Sequence, residues 1–389
     1  MKRLTFFLTL LLRVLCTGTV YVAKAQDNLN LGAKLQQTID TSQVFIDGQY
    51  YHWCNSIIQG EDGKYHMFYA RWPHGKRTLD DDPANGIFDG FSGWLKYSEI
   101  AYATADKPTG SFHYVKTILK GNGDQHKWNR YTMHNPQIRR FGQKYYLYYM
   151  SNAFDSTFRA KNVDPNSDWG HWLKYNCTQK IGVLVANKLS DFAQGNFQEV
   201  KEPLIEPDGI QTFEVTTNPS VTEGPDGRYY MIFKSRKPNV GNMTMWIAVS
   251  DRPDKPFKLL SQVFTEPDMA CEDPFLWYDK QRKQFYAVVK YYAHSGKLVA
   301  QFGALALITS ADGLHWHAAR HPLVSQRELK VTGQHKTVLA HLERPFILFD
   351  KKGRPQALYA AASIGDPFKN KSDKIPKEEN SFIVNFGLN

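Results

Sequence analysis

Acidic side chains occur at corresponding points of two short phrases in the second half of the sequence. Glu272 and Asp273 directly precede a proline at position 274, and Glu343 lies two residues before a proline at position 345. A further carboxylate, Glu214, comes just before a third phrase of the same kind. Carboxyl groups gathered around one pocket repel each other as anions, which raises the proton affinity of at least one of them. These residues therefore predict an acid and a base, provided that the fold brings them together.

The phrase that contains these residues recurs five times along the chain. Each copy has a polar cluster, usually a proline, an apolar triplet, a turn and then an aromatic-rich strand. Uneven steps of 80, 83, 55 and 71 residues separate the copies. Such spacing is typical of a β-propeller whose loops vary in length. The compared positions are Asn55, Asn135, Asn218, Asp273 and Arg344.

Each phrase with its aromatic run is followed by a further pair of strand-like runs. We therefore predict that a complete unit forms four antiparallel strands. Four such strands form one propeller blade, and five units predict an all-β, five-bladed β-propeller over residues 26–389. The last unit lacks a strand, because the chain ends after two strands near 346–362 and a third within 381–388. Residues 43–46 are predicted to supply the missing strand and to close the ring between the N- and C-terminal strands.

A propeller places the inner-strand starts on the same face as the loops between second and third strands. Two of those loops, residues 71–97 and 151–180, are long, and each contains the sequence Trp-Leu-Lys-Tyr near its end. Long loops often bind ligands or form lids. An indole ring suits stacking against a sugar, although tryptophans can also pack such loops on themselves. The tryptophans expected on this face are Trp72, Trp94, Trp128, Trp169 and Trp172.

The five phrases resemble the superfamily of five-bladed β-propeller glycoside hydrolases that contains families 43, 32, 117 and 130. The resemblance covers nearly the whole chain from about residue 43, and residues 271–274 are similar to the Glu-Asp-Pro phrase of family 130. In these families the inner-strand starts deliver acidic residues to a central funnel. The first three phrases depart from that pattern, because they carry Asn55, Asn135 and Asn218.

The resemblance implies cleavage of a glycosidic bond, in which one group protonates the departing oxygen and another activates water or attacks the sugar. It implies Asp273 as the general acid or base, Glu343 as its counterpart, and Glu272 or Glu214 as the group that tunes them. An inverting outcome is expected because most of the similar enzymes invert. Turn capping and ion pairing are the structural alternatives for these carboxylates.

Other polar and aromatic side chains are expected to bind substrate around the funnel. Family 117 enzymes are thought to use a histidine as acid, which directs attention to His134 and His335, whereas a buried and structurally satisfied histidine is the alternative. Arginine offers the planar fork that a uronate or sulfate requires. The expected substrate-binding residues are His134, Asn135, Asn218, Asn55, His52, Arg236, Arg344, Trp94 and Trp172.

The first 25 residues have the order of a secretory signal peptide. Lys2 and Arg3 precede an apolar run over residues 4–12, and Ala-Lys-Ala ends at position 25. Cleavage there removes four basic and no acidic side chains, so that the net charge falls from +10 to +6. We therefore expect a secreted or periplasmic protein without membrane insertion. The modest charge and the lack of a basic block argue against nucleic acid as a partner.

The cysteines and histidines indicate neither a disulfide framework nor a metal site. Cys54, Cys177 and Cys271 remain after cleavage, and their odd number and unpaired spacing leave at most one bridge. Cys54 and Cys271 fit small buried residues of inner strands better than catalytic thiols. No zinc-site spacing is present, so that we expect no metal and no cofactor.

The sequence thus predicts a secreted glycoside hydrolase that removes a terminal sugar from a plant or algal oligosaccharide or polysaccharide. Two alternatives stay open. One is a propeller that binds glycans without cleaving them, which the three asparagines suggest. The other is a glycoside phosphorylase similar to family 130.

Overall fold

Five antiparallel sheets of four strands surround a central axis in the computed structural model, which describes residues 27–46, 48–75, 85–237, 243–367 and 381–389. The predicted signal peptide, residues 1–25, lies outside the described residues. The strands in chain order are β1 (Val44–Phe45), β2 (Tyr50–Gln59), β3 (Tyr65–Pro73), β4 (Glu99–Ala105), β5 (His113–Lys120), β6 (Met133–Phe141), β7 (Lys144–Ser151), β8 (Lys180–Ala186), β9 (Gln198–Glu199), β10 (Glu214–Glu223), β11 (Tyr229–Arg236), β12 (Thr244–Ser250), β13 (Lys258–Gln262), β14 (Cys271–Asp279), β15 (Gln284–Tyr291), β16 (Leu305–Ser310), β17 (His317–Ser325), β18 (Glu328–Leu329), β19 (Thr337–Val338), β20 (His341–Phe349), β21 (Pro355–Ser363) and β22 (Phe382–Gly387).

Each sheet is one blade, and the first strand of its repeat lies innermost. The inner strands β2, β6, β10, β14 and β20 each contact the inner strands of both neighbouring blades, so that they form a closed ring. Blades one to four contain β2–β5, β6–β9, β10–β13 and β14–β17, and β18 and β19 form a separate hairpin. The sequence prediction of a five-bladed propeller is confirmed.

The fifth blade joins the two ends of the described chain. Its strand order is β20, β21, β22 and β1, and Val44 pairs with Val384 across the antiparallel closure. The predicted closing strand within residues 43–46 is therefore present as β1. An additional bridge between Leu35 and Leu388 lies beside this closure.

Apolar side chains between neighbouring blades form the core. Phe68 of the first blade packs in one cluster with Leu147 and Leu184 of the second, for example. Ile232 of the third blade packs with Leu276 of the fourth in the same way. Because the middle strands of each blade are covered on both faces, they are nearly continuous buried runs. A charged residue in such a strand needs a specific partner.

Short helices occupy the connections. The two copies of Trp-Leu-Lys-Tyr, which the sequence places in long loops, form α2 and the second half of α3. The side chain of Ser167 caps α3 by accepting a hydrogen bond of 3.0 Å from the backbone of Gly170. The helices are α1 (Leu31–Lys34), α2 (Trp94–Tyr97), α3 (Asp168–Asn176) and α4 (Leu189–Gln194), with 3-10 turns at Thr41–Gln43, Asn85–Phe88, Gly90–Gly93 and Pro267–Met269.

Candidate active site

Every inner strand contains a β-bulge near its start, where the pairing with the second strand shifts register. One residue of each bulge has a left-handed backbone, with φ between 54° and 58°. Asparagine and aspartate tolerate this conformation, but cysteine and arginine adopt it at a cost of about 1–3 kcal/mol. We call these five residues the axial ring: Cys54, Asn135, Asn218, Asp273 and Arg344.

Hydrogen bonds connect the axial ring from blade to blade. The thiol of Cys54 donates to Oδ1 of Asn135 over 2.6 Å. Asn135 Nδ2 donates to Asn218 Oδ1, and Asn218 Nδ2 donates to Asp273 Oδ1. The backbone N–H of Arg344 donates to Asp273 Oδ2 at 3.3 Å. The side chains of the inner-strand starts therefore meet at one place on the axis.

In the first blade, the structure shifts the predicted alignment of the repeated phrase by one residue. The sequence compares Asn55 with the other ring positions, but the left-handed residue of this bulge is Cys54. Asn55 takes the place that proline has in the other four blades. Its amide is buried and has no hydrogen-bond partner within the described residues, and it does not line the cavity described next.

A cavity of about 240 Å³ lies at the axial ring. We call it the axial cavity. Its walls combine aromatic rings with three carboxyl groups, three cationic groups and amides. The lining residues are Trp53, Trp72, Phe91, Trp94, His134, Asn135, Trp169, Trp172, Asn176, Glu214, Val215, Thr217, Asn218, Lys234, Arg236, Met243, Asp273, Glu343 and Arg344.

A larger cavity of about 890 Å³ lies off the axis, between the N-terminal segment and blades four and five. None of the sequence-predicted site residues lines it. The axial cavity is therefore the better candidate for chemistry, because it collects ionisable groups from several blades.

Asp273 lines the axial cavity and is 2% exposed. Its carboxyl accepts from Asn218, and it lies 3.7 Å from Lys234 Nζ and 3.5 Å from Arg344 Nη1. Burial raises the pKa of Asp273, and the nearby Glu272 charge adds to this effect, so that the two cations only partly offset it. Asp273 is thus disposed to hold a proton.

Glu343 lines the same cavity in a more cationic environment. Its Oε1 accepts from Lys290 Nζ, and it lies 2.9 Å from Nδ1 of His341. Although burial opposes ionisation, Lys290 and His341 hold the pKa of Glu343 well below its usual range. Glu343 is thus disposed to remain ionised. Asp273 and Glu343 are a carboxyl pair whose environments shift their pKa values in opposite directions.

Glu272 does not line the axial cavity, although the sequence places it beside Asp273. It is buried between two lysines, with Oε1 at 2.8 Å from Lys290 Nζ and Oε2 at 2.9 Å from Lys234 Nζ. Burial alone would raise the pKa of Glu272, but these two ammonium groups hold it below its usual range. Because Lys234 and Lys290 also contact Asp273 and Glu343, Glu272 fixes the cations that tune the pair.

Replacing Lys290 with methionine is expected to destabilise the protein by about 3–5 kcal/mol, because Glu272 and Glu343 would lose a buried counter-charge. The free energy of unfolding in urea measures this change. Lys297→Met is the matched control in the same blade, since Lys297 is 50% exposed and pairs with Asp268 on the surface. It should shift stability by no more than about 0.5 kcal/mol. Equal losses in both variants would contradict this function of Lys290.

Glu214 lines the cavity from the third blade. It forms an ion pair with Arg236, the residue opposite it on the second strand of that blade, and accepts from Asn176 Nδ2 at 2.9 Å. Asn176 belongs to α3, so that this contact fixes the long loop of blade two to the cavity wall. The structure therefore brings Glu214, Asp273 and Glu343 together.

His134 lines the cavity next to the axial ring. Its Nδ1 lies 2.8 Å from the hydroxyl of Ser98, and its Nε2 lies 3.6 Å from the thiol of Cys54. Burial lowers the pKa of His134 well below its usual range, and the charges of Arg344 and Lys234 add to this effect. These effects favour the neutral imidazole, which suits a positioning function in the cavity wall better than proton delivery.

His52 is not in the cavity, contrary to the sequence prediction. Its ring packs against Phe45 and Tyr69, with centroids at 5.4 and 5.8 Å. Successive side chains of a strand point to opposite faces. Trp53 therefore faces the cavity, and its neighbour His52 faces the closure of the ring.

Tryptophans make up much of the cavity wall. Trp72, Trp94, Trp169 and Trp172 line it, as the sequence predicts, and Trp53 joins them. Trp94 packs against His134 with a centroid distance of 5.1 Å and against Trp172 at 5.8 Å. The two Trp-Leu-Lys-Tyr helices thus contact each other over the cavity.

Trp128 was expected beside the other tryptophans, and this prediction is wrong. It does not line the cavity, because its indole stacks on Tyr149 and donates to the carbonyl of Lys201 at 2.9 Å. Its single polar group is therefore satisfied in the second blade.

The remaining predicted features concern metals, thiols and membranes. Within the described ranges, no group of three or more His, Cys, Asp or Glu side chains could hold a metal ion. Cys54, Cys177 and Cys271 are free and buried. In the same part of the chain, no helix is long and apolar enough to cross a membrane.

Comparison with known proteins finds similarity at the level of structure. No family model and no curated protein sequence matches the chain. A family 117 glycoside hydrolase from the marine bacterium Zobellia galactanivorans superposes with a TM-score of 0.56 at 18% identity, covering 91% of this chain and 89% of that one. The chain has the fold of a known glycoside hydrolase.

Two further solved structures agree. An α-L-arabinofuranosidase from Lactobacillus brevis has a TM-score of 0.54 at 11% identity and covers 89% of this chain and 94% of its own. A family 43 endo-arabinanase from Bacillus licheniformis has a TM-score of 0.51 at 13% identity, with coverages of 90% and 96%. The fold expected from the resemblance is confirmed, and at these identities the comparison concerns the fold alone.

Proposed function

We propose that this protein is a glycoside hydrolase that removes a terminal sugar from a plant or algal oligosaccharide or polysaccharide. The observation that carries the proposal is the carboxyl pair, Asp273 and Glu343, which lines one cavity with pKa shifts of opposite direction. Most glycoside hydrolases use one protonated and one ionised carboxyl group that flank the glycosidic bond. The fold shared with glycoside hydrolases supports the same conclusion.

In the proposed mechanism, Asp273 protonates the departing glycosidic oxygen, and Glu343 accepts a proton from the attacking water. Glu272, Lys234 and Lys290 hold the charges that keep the two carboxyl groups in these states. We propose an inverting outcome, which needs about 6.5–9.5 Å between the two carboxyl groups so that a water molecule fits between them.

The size and lining of the axial cavity support removal of a single terminal sugar. Its volume of about 240 Å³ is below the 300–1,000 Å³ of many ligand pockets. Tryptophan faces provide flat apolar surfaces for the ring, and the amides of Asn135 and Asn218 provide hydrogen-bonding groups for hydroxyls.

A panel of plant and algal oligosaccharides tests the proposed function. Each is incubated with the protein and followed by proton NMR, which reports both the released sugar and the anomer that forms first. The proposal predicts release of a monosaccharide from one class of substrate, with the anomeric configuration inverted. No release from any member would contradict hydrolysis, and an initially retained configuration would contradict the inverting mechanism.

The pH profile of the reaction should be bell-shaped, with limbs shifted outward from the ordinary pKa values of the two carboxyl groups. Because Glu343 must be ionised and its pKa is lowered, activity should fall on the acidic side only below the usual glutamate value of about 4.3. Because Asp273 must hold its proton and its pKa is raised, activity should fall on the alkaline side only above the usual aspartate value of about 3.9. Measuring kcat/KM against pH checks both limbs. If kcat/KM kept rising with pH and showed no alkaline limb, the assignment of Asp273 as the acid would be contradicted.

A glycan-binding propeller without catalysis is the second candidate. Three positions of the axial ring, Cys54, Asn135 and Asn218, carry no charge. Binding of an oligosaccharide in calorimetry without release of any sugar would favour this candidate. Turnover that depends on Asp273 would exclude it.

We also propose that the protein is exported to the periplasm or secreted, with a glycan as its partner. The basic, apolar and small-residue order of residues 1–25 supports export. N-terminal sequencing of the mature protein should begin at Gln26. A mature chain that starts at Met1 would contradict this proposal.

A further inference from the structure

Arg344 has an unusual environment for a buried arginine. Its side chain is 10% exposed and lines the axial cavity. Nε and Nη1 are buried and donate no hydrogen bond to any described residue. A guanidinium has five N–H donors, and leaving buried donors unsatisfied costs free energy. The arginine also has a left-handed backbone, with φ of 55°, which the fold maintains at a further cost.

The other cations of the cavity each have an anionic partner. Arg236 pairs with Glu214, and Lys234 pairs with Glu272 at 2.9 Å. Glu343 is engaged by Lys290 and His341. The two members of each pair neutralise one another, so that, among the described residues, Arg344 has one anionic neighbour at ion-pair distance.

That neighbour is Asp273, whose Oδ1 lies 3.5 Å from Arg344 Nη1. When Asp273 holds the proton that the proposed mechanism requires, it no longer balances the guanidinium. The adjacent ring member, Cys54, interacts with Arg344, but its sulfur is only a weak acceptor, and burial raises the pKa of its thiol to about 12, so that it supplies no negative charge. The protonated site therefore contains one uncompensated positive charge.

We propose that the axial cavity takes a sugar that carries an oxyanion, either a uronate carboxylate or a sulfate ester, and that Arg344 binds this group. The inference rests on the proposed function, because it concerns the sugar that occupies the same cavity. Planar carboxylate and sulfate edges match the guanidinium fork, and charge-assisted hydrogen bonds are about twice as strong as neutral ones. The bound anion supplies the charge that Arg344 lacks, and it accepts from the part of the guanidinium that lines the cavity.

The test compares matched pairs of monosaccharides by isothermal titration calorimetry. The pairs are galacturonate with galactose, glucuronate with glucose, and galactose 6-sulfate with galactose. We expect one charged sugar to bind about 10–100-fold more tightly than its neutral counterpart, as a charged hydrogen bond of 1.5–3 kcal/mol predicts. A preference confined to a uronate identifies the carboxylate, and one confined to the sulfated sugar identifies the sulfate.

Variants then assign the preference to Arg344. Arg344→Gln should abolish it, and Arg344→Lys, which keeps the charge but loses the fork, should retain only part of it. Arg344→Asn is the second neutral variant, because asparagine tolerates the left-handed backbone at this position. Arg252→Gln is the control for a simple loss of net charge, since Arg252 is 63% exposed and pairs with Asp254 on the surface. It should leave the preference unchanged.

Equal binding of charged and neutral sugars by the wild-type protein, or no binding of any charged sugar, would overturn the proposal. So would a preference that survives in both Arg344→Gln and Arg344→Asn. Binding is measured without turnover, so that this outcome is separate from the proposed activity. Release of a neutral sugar from the oligosaccharide panel would support hydrolysis and contradict binding of a charged sugar. Binding of a uronate without any hydrolysis would support the charged sugar and contradict hydrolysis.

Discussion

Replacing Asp273 with asparagine is expected to lower kcat by about 10²–10⁴-fold on natural substrates, the usual contribution of a general acid. Asparagine has the same shape and can still accept from Asn218, so that the axial ring persists while the transferable proton is lost. A substrate whose leaving group has a low pKa departs without protonation. Aryl glycosides with dinitrophenol leaving groups should therefore recover most of the lost rate, and steady-state kinetics on both substrate types measures the difference.

Thermal unfolding of Asp273→Asn serves as the control for folding. Burial disfavours the ionised form of Asp273, so that a neutral amide should be tolerated at this position. Full activity of the variant on natural substrates would show that Asp273 is not the acid. An equal loss on activated and natural substrates would indicate a different function for this residue.

Glu343→Gln should lower kcat by a similar factor of about 10²–10⁴ on both kinds of substrate. A base activates the attacking water, so that a better leaving group does not replace it. The uncharged amide would also remove one anionic partner of Lys290. The contrast between the two variants on aryl glycosides therefore separates the acid from the base.

Glu343→Asp provides the matched comparison, because it keeps the charge and moves the carboxyl group back by one methylene. It should retain more activity than Glu343→Gln. If the activity of Glu343→Gln recovered on dinitrophenyl glycosides as much as that of Asp273→Asn, Glu343 would be the acid and the present assignment would be wrong.

The fold was predictable because each repeat has a recognisable pattern of apolar strand-like runs separated by turn residues. The five phrases correspond to inner strands β2, β6, β10, β14 and β20, and residues 43–46 contain the closing strand. These features depend on local patterning, which the sequence shows directly. The register at the first bulge was not predictable, because Cys54 lacks the proline that marks the other four copies.

The sequence analysis did not identify Lys234 and Lys290 as site residues, although their positions in the sequence could have indicated them. Lys234 ends the run RYYMIFK and Lys290 ends the run QFYAVVK, so that both are charged residues in otherwise apolar strands. Cross-strand pairing places Lys290 opposite Glu272. A lysine at the end of a buried strand requires a carboxylate partner, and this requirement would have indicated both residues.

Side-chain direction explains the remaining differences. Trp53 and His52 are adjacent, and only the strand pairing determines which of them faces the axis. Trp128 lies in a loop whose path depends on Tyr149 and Lys201, residues distant in sequence. Tertiary contacts of this kind are not encoded in the local pattern of the repeat.

The structure of the Asp273→Asn variant in complex with an oligosaccharide substrate is the most direct test of the account. We predict that the terminal sugar occupies the axial cavity, with its glycosidic oxygen about 2.6–3.2 Å from the side chain at position 273 and Glu343 on the opposite side of the ring. A sugar bound in the larger cavity off the axis, with the axial cavity free of carbohydrate, would contradict the account.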